Sequence, residues 1–297
     1  MKKAKFRFIQ ENIDVWPIST MCRALKVTRA GYYAWAKRPI SARDARDLEL
    51  VAKIGAIYEQ SRGIYGAPKI HLTLKSQGER TSKKRVARIM ADRAWAGTTR
   101  SCAKRSSKER RVTKKDSAPD LVKRDFSAQG PNEAWFADIT YVRTCQGWLY
   151  LALVMDVWSR KIVGWAMDTK MEAALADDAL RMAIERRHPV KGCIHHSDHG
   201  SQYGSLLLGK TMREYGIRPS MGAIQSPWDN AVTESLMGII KSECIRSRVF
   251  STREEAALEL FEYIEVFYNR MRIHSALGWL SPEQFEKVHL KDRLRAK

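Results

Sequence analysis

The sequence predicts an α/β fold with a mixed-sheet core, preceded by a small all-α region and followed by C-terminal helices. Three observations carry this. Residues before 98 run in short stretches of helical periodicity punctuated by Gly and Pro. From Pro131 the texture changes to β-rich runs joined by short polar turns. Beyond residue 246 the helical pattern returns, with N-cap residues ahead of each apolar run.

In the N-terminal third, Ile18, Met21, Cys22 and Leu25 share one helical face. A turn at Lys26-Val27-Thr28 follows, and Thr28 can cap a second helix through Tyr32, Tyr33 and Trp35. A second pair runs from Pro68 through Leu74 to the breaker Gly78, then from the N-cap Thr81 to Met90. Val86, Ile89 and Met90 form the buried stripe of that last helix, with Lys84, Arg85 and Arg88 off it and Lys83 a further candidate DNA contact. Apolar behind and basic in front is how a recognition helix is built. Residues 98–125 are rich in Ser, Thr, Lys and Arg, nearly without large apolar side chains, and read as a basic linker.

Three strands follow: Ala134 to Val142, Trp148 to Asp156 after the turn at Gly147, and Lys161 to Met167 after a polar turn at Trp158-Ser159-Arg160. A capping box, Thr169 to Glu172, opens a helix through Leu175 and Ile184. A short strand, Gly192 to His196, and a helix from Leu206 to Tyr215 come next. Three antiparallel strands, helix, strand, helix is the element order of an RNase H-like α/β core. Ser251 with Glu254, and Ser281-Pro282 with Gln284, mark two closing helices. The expected boundaries are 1–97 for a helix-turn-helix DNA-binding region, 98–125 for the linker, 126–245 for the core and 246–297 for the C-terminal helices.

The charge is just as divided. Residues 1–130 hold 31 Lys and Arg against 12 Asp and Glu, whereas residues 131–297 hold 22 against 21. A field that localised favours a polyanionic partner, nucleic acid before anionic membrane. The longest strongly apolar run, Trp148 to Met155, is eight residues, too short to span a bilayer. The basic start has no apolar segment behind it, so no signal peptide is expected. Five scattered cysteines with no CxxC spacing fit a reducing cytoplasm and exclude a disulfide framework.

Three acids stand out by their surroundings. Asp138 interrupts an apolar strand, where an unpartnered carboxylate costs several kcal/mol, so a cation or metal belongs beside it. Asp198 directly follows the short strand, where functional groups of α/β sheets collect. Glu234 sits one turn into a helix announced by Ser226-Pro227-Trp228-Asp229-Asn230, with Lys241 seven positions on and the apolar stripe Val232, Leu236, Ile239 and Ile240 pointing elsewhere. Cutting or joining a phosphodiester in line needs one oxygen activated and another stabilised. Two divalent ions roughly 3.5–4 Å apart do both, and carboxylates hold Mg²⁺ well.

Asp138 and Asp198 are separated by 59 residues and Asp198 and Glu234 by 35. This spacing, with the Lys that follows, resembles the DDE signature of retroviral-type integrases and transposases. The words Asn132-Glu133-Ala134-Trp135-Phe136-Ala137-Asp138, His196-Ser197-Asp198-His199-Gly200-Ser201-Gln202-Tyr203 and Asp229-Asn230-Ala231-Val232-Thr233-Glu234 resemble the OrfB transposase of the IS-three insertion-sequence family. So do Tyr268-Asn269-Arg270-Met271-Arg272-Ile273-His274 near the end and Tyr65-Gly66-Ala67-Pro68 near the start. The resemblance implies that Asp138, Asp198 and Glu234 ligate two Mg²⁺ (or Mn²⁺) ions. It implies that Lys241 contacts DNA phosphate, while Asn230 and His196 orient the ligands. It further implies 3′-end cleavage and strand transfer on double-stranded DNA, at element ends and target. An upstream OrfA product, often fused by frameshifting, and a homo-oligomer on DNA are its expected partners, in the bacterial cytoplasm and with no membrane.

Two rivals differ in class. A non-catalytic DNA-binding regulator from a decayed element copy would not need all three carboxylates in intact motifs. An RNase H-like nuclease for branched DNA would share the acids but not the two helix-turn-helix units.

Overall fold

The computed structural model describes residues 2–37, 41–98, 118–123, 125, 127–222, 231–246 and 248–295. Most of the expected linker and the whole Ser226–Asn230 helix start, Asn230 included, lie outside the described residues. The chain divides into two compact units, Met1–Ala56 and Ile57–Lys297. That division falls inside the expected 1–97 region rather than at its end.

In the first unit, α1 (Lys2–Glu11), α2 (Ile18–Ala24) and α3 (Arg29–Ala36) enclose Ile9, Met21, Cys22 and Tyr32, with Phe6, Ile18, Leu25 and Trp35 packed around them. The expected cap forms: the Gly31 amide donates to the Thr28 hydroxyl at 3.1 Å. A long helix, α4 (Ala42–Gln60), leads on; the apolar periodicity singled out no such helix.

The second unit opens with α5 (Ala67–Ser76) and α6 (Lys83–Asp92), joined through Gly78 at φ 81°, a left-handed turn that favours glycine. Val86, Ile89 and Met90 are buried, and Lys83, Lys84 and Arg88 are exposed, as the amphipathic pattern requires. The sheet then follows in the order β3-β2-β1-β4-β5, from β1 (Ala134–Thr144), β2 (Gly147–Asp156), β3 (Ile162–Asp168), β4 (Ile194–Ser197) and β5 (Arg218–Met221). The first three strands form the antiparallel meander; β4 runs parallel to β1, and β5 parallel to β4.

One face of this mixed sheet carries α7 (Ala173–Arg187) and α8 (Leu206–Tyr215), whose Leu175, Ala179, Leu180 and Leu208 pack on Trp135, Ala152 and Val154. Burying each large apolar side chain there stabilises the fold by about 1.5–3 kcal/mol. Helix α7 lies against β3 at Gly164, where a Cβ would stand 2.1 Å from the Ala179 carbonyl oxygen. Only glycine permits that approach. Helix α9 (Ala231–Ile240) packs on β1 and continues as a π-helical turn, Lys241–Ile245. Helix α10 (Arg253–Glu262) is likewise extended by a π-helical turn, Tyr263–Tyr268, before α11 (Pro282–Arg295). The C-terminal segment closes the sheet edge. Asn269 accepts from the Ile162 amide and donates to its carbonyl, both at 2.9 Å, standing in for a missing strand.

Four local expectations need correction. Helix α7 starts at Ala173 with Glu172 as an unbonded N-cap, because Asp168 already takes the Thr169 and Lys170 amides and no Thr169 capping box forms. Ser82, not Thr81, caps α6, and Thr252 with Glu255, not Ser251 with Glu254, caps α10. On α9 the buried stripe is Thr233, Leu236, Met237 and Ile240, while Val232, Glu234 and Ile239 are half-buried. The capping box of α11 does form, reciprocally, between Ser281 and Gln284.

Candidate active site

The register of β1 against β4 brings the first two carboxylates together. Phe136 pairs with His196 near the end of β4. Asp138 lies two residues further along β1, on the face that Phe136 presents, and Asp198 follows directly on the last residue of β4, Ser197. Asp138, half-buried on β1, accepts from the Ile139 amide at 2.8 Å. Asp198, exposed just past β4, accepts from the Gly200 amide at 3.0 Å.

Electrostatics tie in the rest. Burial, then the Asp198 charge and more weakly that of Glu234, push the Asp138 carboxyl up to about 7; the Ile139 amide and the Lys241 ammonium pull the other way. Glu234 stands on the first turn of α9 and Lys241 at the start of the π-helical turn, its ammonium 5.4 Å from the Tyr141 ring centre. Among the described residues the acids do not close into a ready cage for a metal ion.

Asp138 and Asp198 share a cavity of about 500 Å³ whose wall includes Tyr141, Trp148, Gln202 and Tyr203. Tyr141 and Trp148 meet edge to face at 5.0 Å and are both exposed. Tyr203 is buried, and its hydroxyl finds no hydrogen-bond partner among the described residues. Burial and the charges of Asp138 and Asp198 hold it far above the usual phenol range. Sequence reasoning missed these three aromatic residues. Tyr203 was within reach, because it ends the same short word that contains Asp198.

The remaining expected residues lie apart. His196 is buried, its Nδ1 2.9 Å from the Ser220 hydroxyl on β5 and its ring 4.9 Å from that of Phe136. On α6, Lys83 and Lys84 face solvent, Arg85 is half-buried, and Arg88 pairs with Asp92 at 3.3 Å.

Residues 128–227 match the family described as Integrase core domain, and residues 234–290 match a second family of that description. Residues 45–101 match the HTH-like domain. The transposase InsF for insertion sequence IS3A of Escherichia coli K12 is 40% identical over 288 residues, 96% of this chain and 99% of that protein. The chain belongs to the IS3 family of transposases. The transposase for insertion sequence element IS904 of Lactococcus lactis is 39% identical over 254 residues, 85% of this transposase and 99% of its relative. The HTLV-2 integrase catalytic core domain, solved in complex with magnesium, superposes with a TM-score of 0.42 at 17% identity, covering 52% of the transposase and 96% of that domain. The transposase is thus a DDE-type enzyme of DNA transposition, in a family that depends on divalent metal. No described helix is long and apolar enough to cross a membrane.

Proposed function

We propose that Asp138, Asp198 and Glu234 are the catalytic carboxylates and that they hold two divalent ions, Mg²⁺ or Mn²⁺. The observation that carries this is the cavity that Asp138 and Asp198 share, with Glu234 and Lys241 in electrostatic reach of Asp138. Their donor chemistry suits such ions: hard oxygens of like charge, with the Lys241 ammonium coupled to Asp138. When bound, the metal supplies Lewis-acid activation of the attacking oxygen and stabilisation of the leaving one.

The chain's own residues do the rest. Lys241 neutralises the phosphate being cut, and the Tyr141–Trp148 pair offers a face on which a base at the DNA end stacks. Lys83, Lys84, Arg85 and Arg88 on α6 grip duplex phosphates and hold the register on the DNA. Asn230 and His196 act behind the ligands, His196 through β5. Water attacks the phosphodiester at the element's 3′ end and releases a 3′-OH; that hydroxyl then attacks a target phosphodiester, expelling a new 3′-OH. No covalent bond to the protein forms. The working division is a DNA-binding region to 97, a linker to 125, the core to 245 and a helical extension. Two ends must be held at once, so the active species is an oligomer on DNA, with the upstream OrfA product adding end recognition.

Strand transfer with pre-cut element ends tests this. Asp138→Asn, Asp198→Asn and Glu234→Gln should each lower joining by roughly a thousand-fold or more, with DNA affinity within a few-fold of wild type. Wild-type joining by any of the three would remove that residue from the site. Excess selectivity for end over random DNA should appear when the OrfA product is added; its absence would remove OrfA from the reading.

A further inference from the structure

A second cavity, of about 550 Å³, is bordered by α9, by α5 and by the segment after the second π-helical turn. Ser235 and Ile239 of α9 line it, whereas Glu234 does not. Four charged side chains reach it from four separate elements: Lys69, Arg160, Glu243 and Arg272. Three are cations, and Glu243 is the only carboxylate among the described lining residues.

That carboxylate is fully used. Arg272 donates to Glu243 through Nε at 2.7 Å and Nη2 at 2.6 Å, and the Tyr263 hydroxyl donates at 2.9 Å. Lys69 stands 4.0 Å from it. Beside them, His274 is kept uncharged down to about 2 by burial and by Arg272, Lys69 and Arg160, so it neither adds nor removes charge. Arg160 is left over. It is half-buried, and among the described residues it makes no hydrogen bond or ion pair. A partly desolvated cation without a counter-charge costs free energy that a bound anion would recover.

The backbone points the same way. Arg160 (φ 59°) and Trp279 (φ 66°) both adopt the left-handed region, which is costly for side chains of this size, and both line this cavity. Trp279 is 42% exposed, and Met155, Leu236 and Ile239 add apolar surface below it. The volume is that of a ligand pocket rather than of a duplex groove. Cations that reach a phosphate, beside an exposed indole that stacks a base, are the elements of a single-strand site.

We propose that this cavity is a phosphodiester-binding site that takes a single-stranded stretch of the DNA substrate, with Arg160 and Lys69 on the phosphate and Trp279 against the base. The proposal rests on the DNA-acting reading above but not on its assignment of the carboxylates.

The test uses the full chain and anisotropy titrations of labelled oligo(dT) and of a blunt duplex at several salt concentrations. Arg160→Glu should weaken oligo(dT) binding about ten-fold or more, and Arg160→Gln or Lys69→Gln should each lower the salt slope by about 0.7, the value of one single-strand phosphate. Trp279→Ala should weaken oligo(dT) several-fold at unchanged slope. Duplex binding should move less than about three-fold in all four. Thermal melting checks folding, and Arg160→Gln keeps the question open to decision if the charge reversal does not fold. Unchanged oligo(dT) affinity and slope in folded Arg160→Gln and Trp279→Ala would overturn the site. So would inorganic phosphate raising the melting temperature in an Arg160-dependent way while oligo(dT) binding ignores both residues, the mark of a small-anion site. Glu234→Gln should bind oligo(dT) as wild type does; if that variant still joined strands, the carboxylate assignment would fail while this site stood.

Discussion

Glu234 and Glu243 lie nine residues apart on one continuous helical run, yet their surroundings are opposites. Glu243 is enclosed with its own cation: Arg272 grips both oxygens, and this pairing holds its carboxyl below the usual range despite burial. Glu234, half-buried, is coupled to Asp138, whose carboxyl is pushed up to about 7 by burial first and then by the charge of Asp198. A carboxylate provided with an arginine is a structural tie. A carboxyl that burial and neighbouring acids raise, as at Asp138, is charged more readily when a further cation binds beside it. The change from α to π geometry at Lys241 falls between the two, and Glu243 lies within the π-helical turn, where Tyr263 donates to it. Such π turns concentrate at functional sites.

The contrast is broken most sharply by a crossed experiment. Glu234→Gln should abolish joining, as above, and leave the melting temperature close to wild type. Glu243→Gln should do the reverse. It leaves the Arg272 guanidinium buried without its carboxylate, a loss of about 3–5 kcal/mol, while residual folded protein still joins. Replacing both Glu243 and Arg272 by Met should cost less than Glu243→Gln alone, because the buried guanidinium is removed together with its carboxylate. Denaturant midpoints decide it. Equal destabilisation by Glu234→Gln and Glu243→Gln would erase the distinction.

The difference also sets a pH dependence. In metal-free buffer the folded chain keeps the Asp138 proton up to about 7, whereas an unfolded Asp releases it near pH 4. Between those values the folded state binds more protons, so this group's contribution to stability falls as pH rises from about 4 to 7. Asp138→Asn removes that fall and should raise the melting temperature at neutral pH by a few degrees, roughly. Because metal and proton compete for the same oxygens, the apparent Mg²⁺ affinity of the wild-type chain should rise with pH through the same window. Melting curves against pH in a chelator, with and without Mg²⁺, read both effects. A stability profile identical in wild type and Asp138→Asn would show that folding does not raise the Asp138 carboxyl.

What the sequence made legible follows from range. The meander, α7 and the α6 stripe announce themselves through local periodicity, and Asp138 and Asp198 stand out because one interrupts a strand and the other directly follows one. Strand β5 stayed hidden because Arg218-Pro219-Ser220-Met221 is four residues long and carries a proline, which reads as a turn. Caps slipped by one residue wherever two hydroxyls are adjacent, as at Thr81-Ser82 and Ser251-Thr252, since either can serve and tertiary packing chooses. The Glu243–Arg272 pair joins residues 29 apart through two π-helical turns, and no sequence period marks such a partnership. Nor could spacing reveal that Asn269 completes the edge of β3.

The smallest effect concerns the cations of α6, where exposure replaces burial. Lys83 and Lys84 are exposed, Lys84 on the side away from Val86, Ile89 and Met90, and Arg88 is drawn toward Asp92. Such exposed charges contribute little to folding, so Lys83→Ala and Lys84→Ala should leave stability within about 0.5 kcal/mol of wild type. On duplex DNA each should reduce the salt slope by about 1, and weaken binding uniformly across sequences, if that lysine neutralises one phosphate. Arg88→Ala should do less, because Asp92 already competes for its guanidinium; Asp92→Ala in a chain that keeps Arg88 should loosen that competition and raise the slope. The order of effects, Lys83 and Lys84 above Arg88, follows from the pairing of Arg88 with Asp92. Titrations at several salt concentrations measure it, and a slope that ignores both lysines would move the DNA contact away from α6.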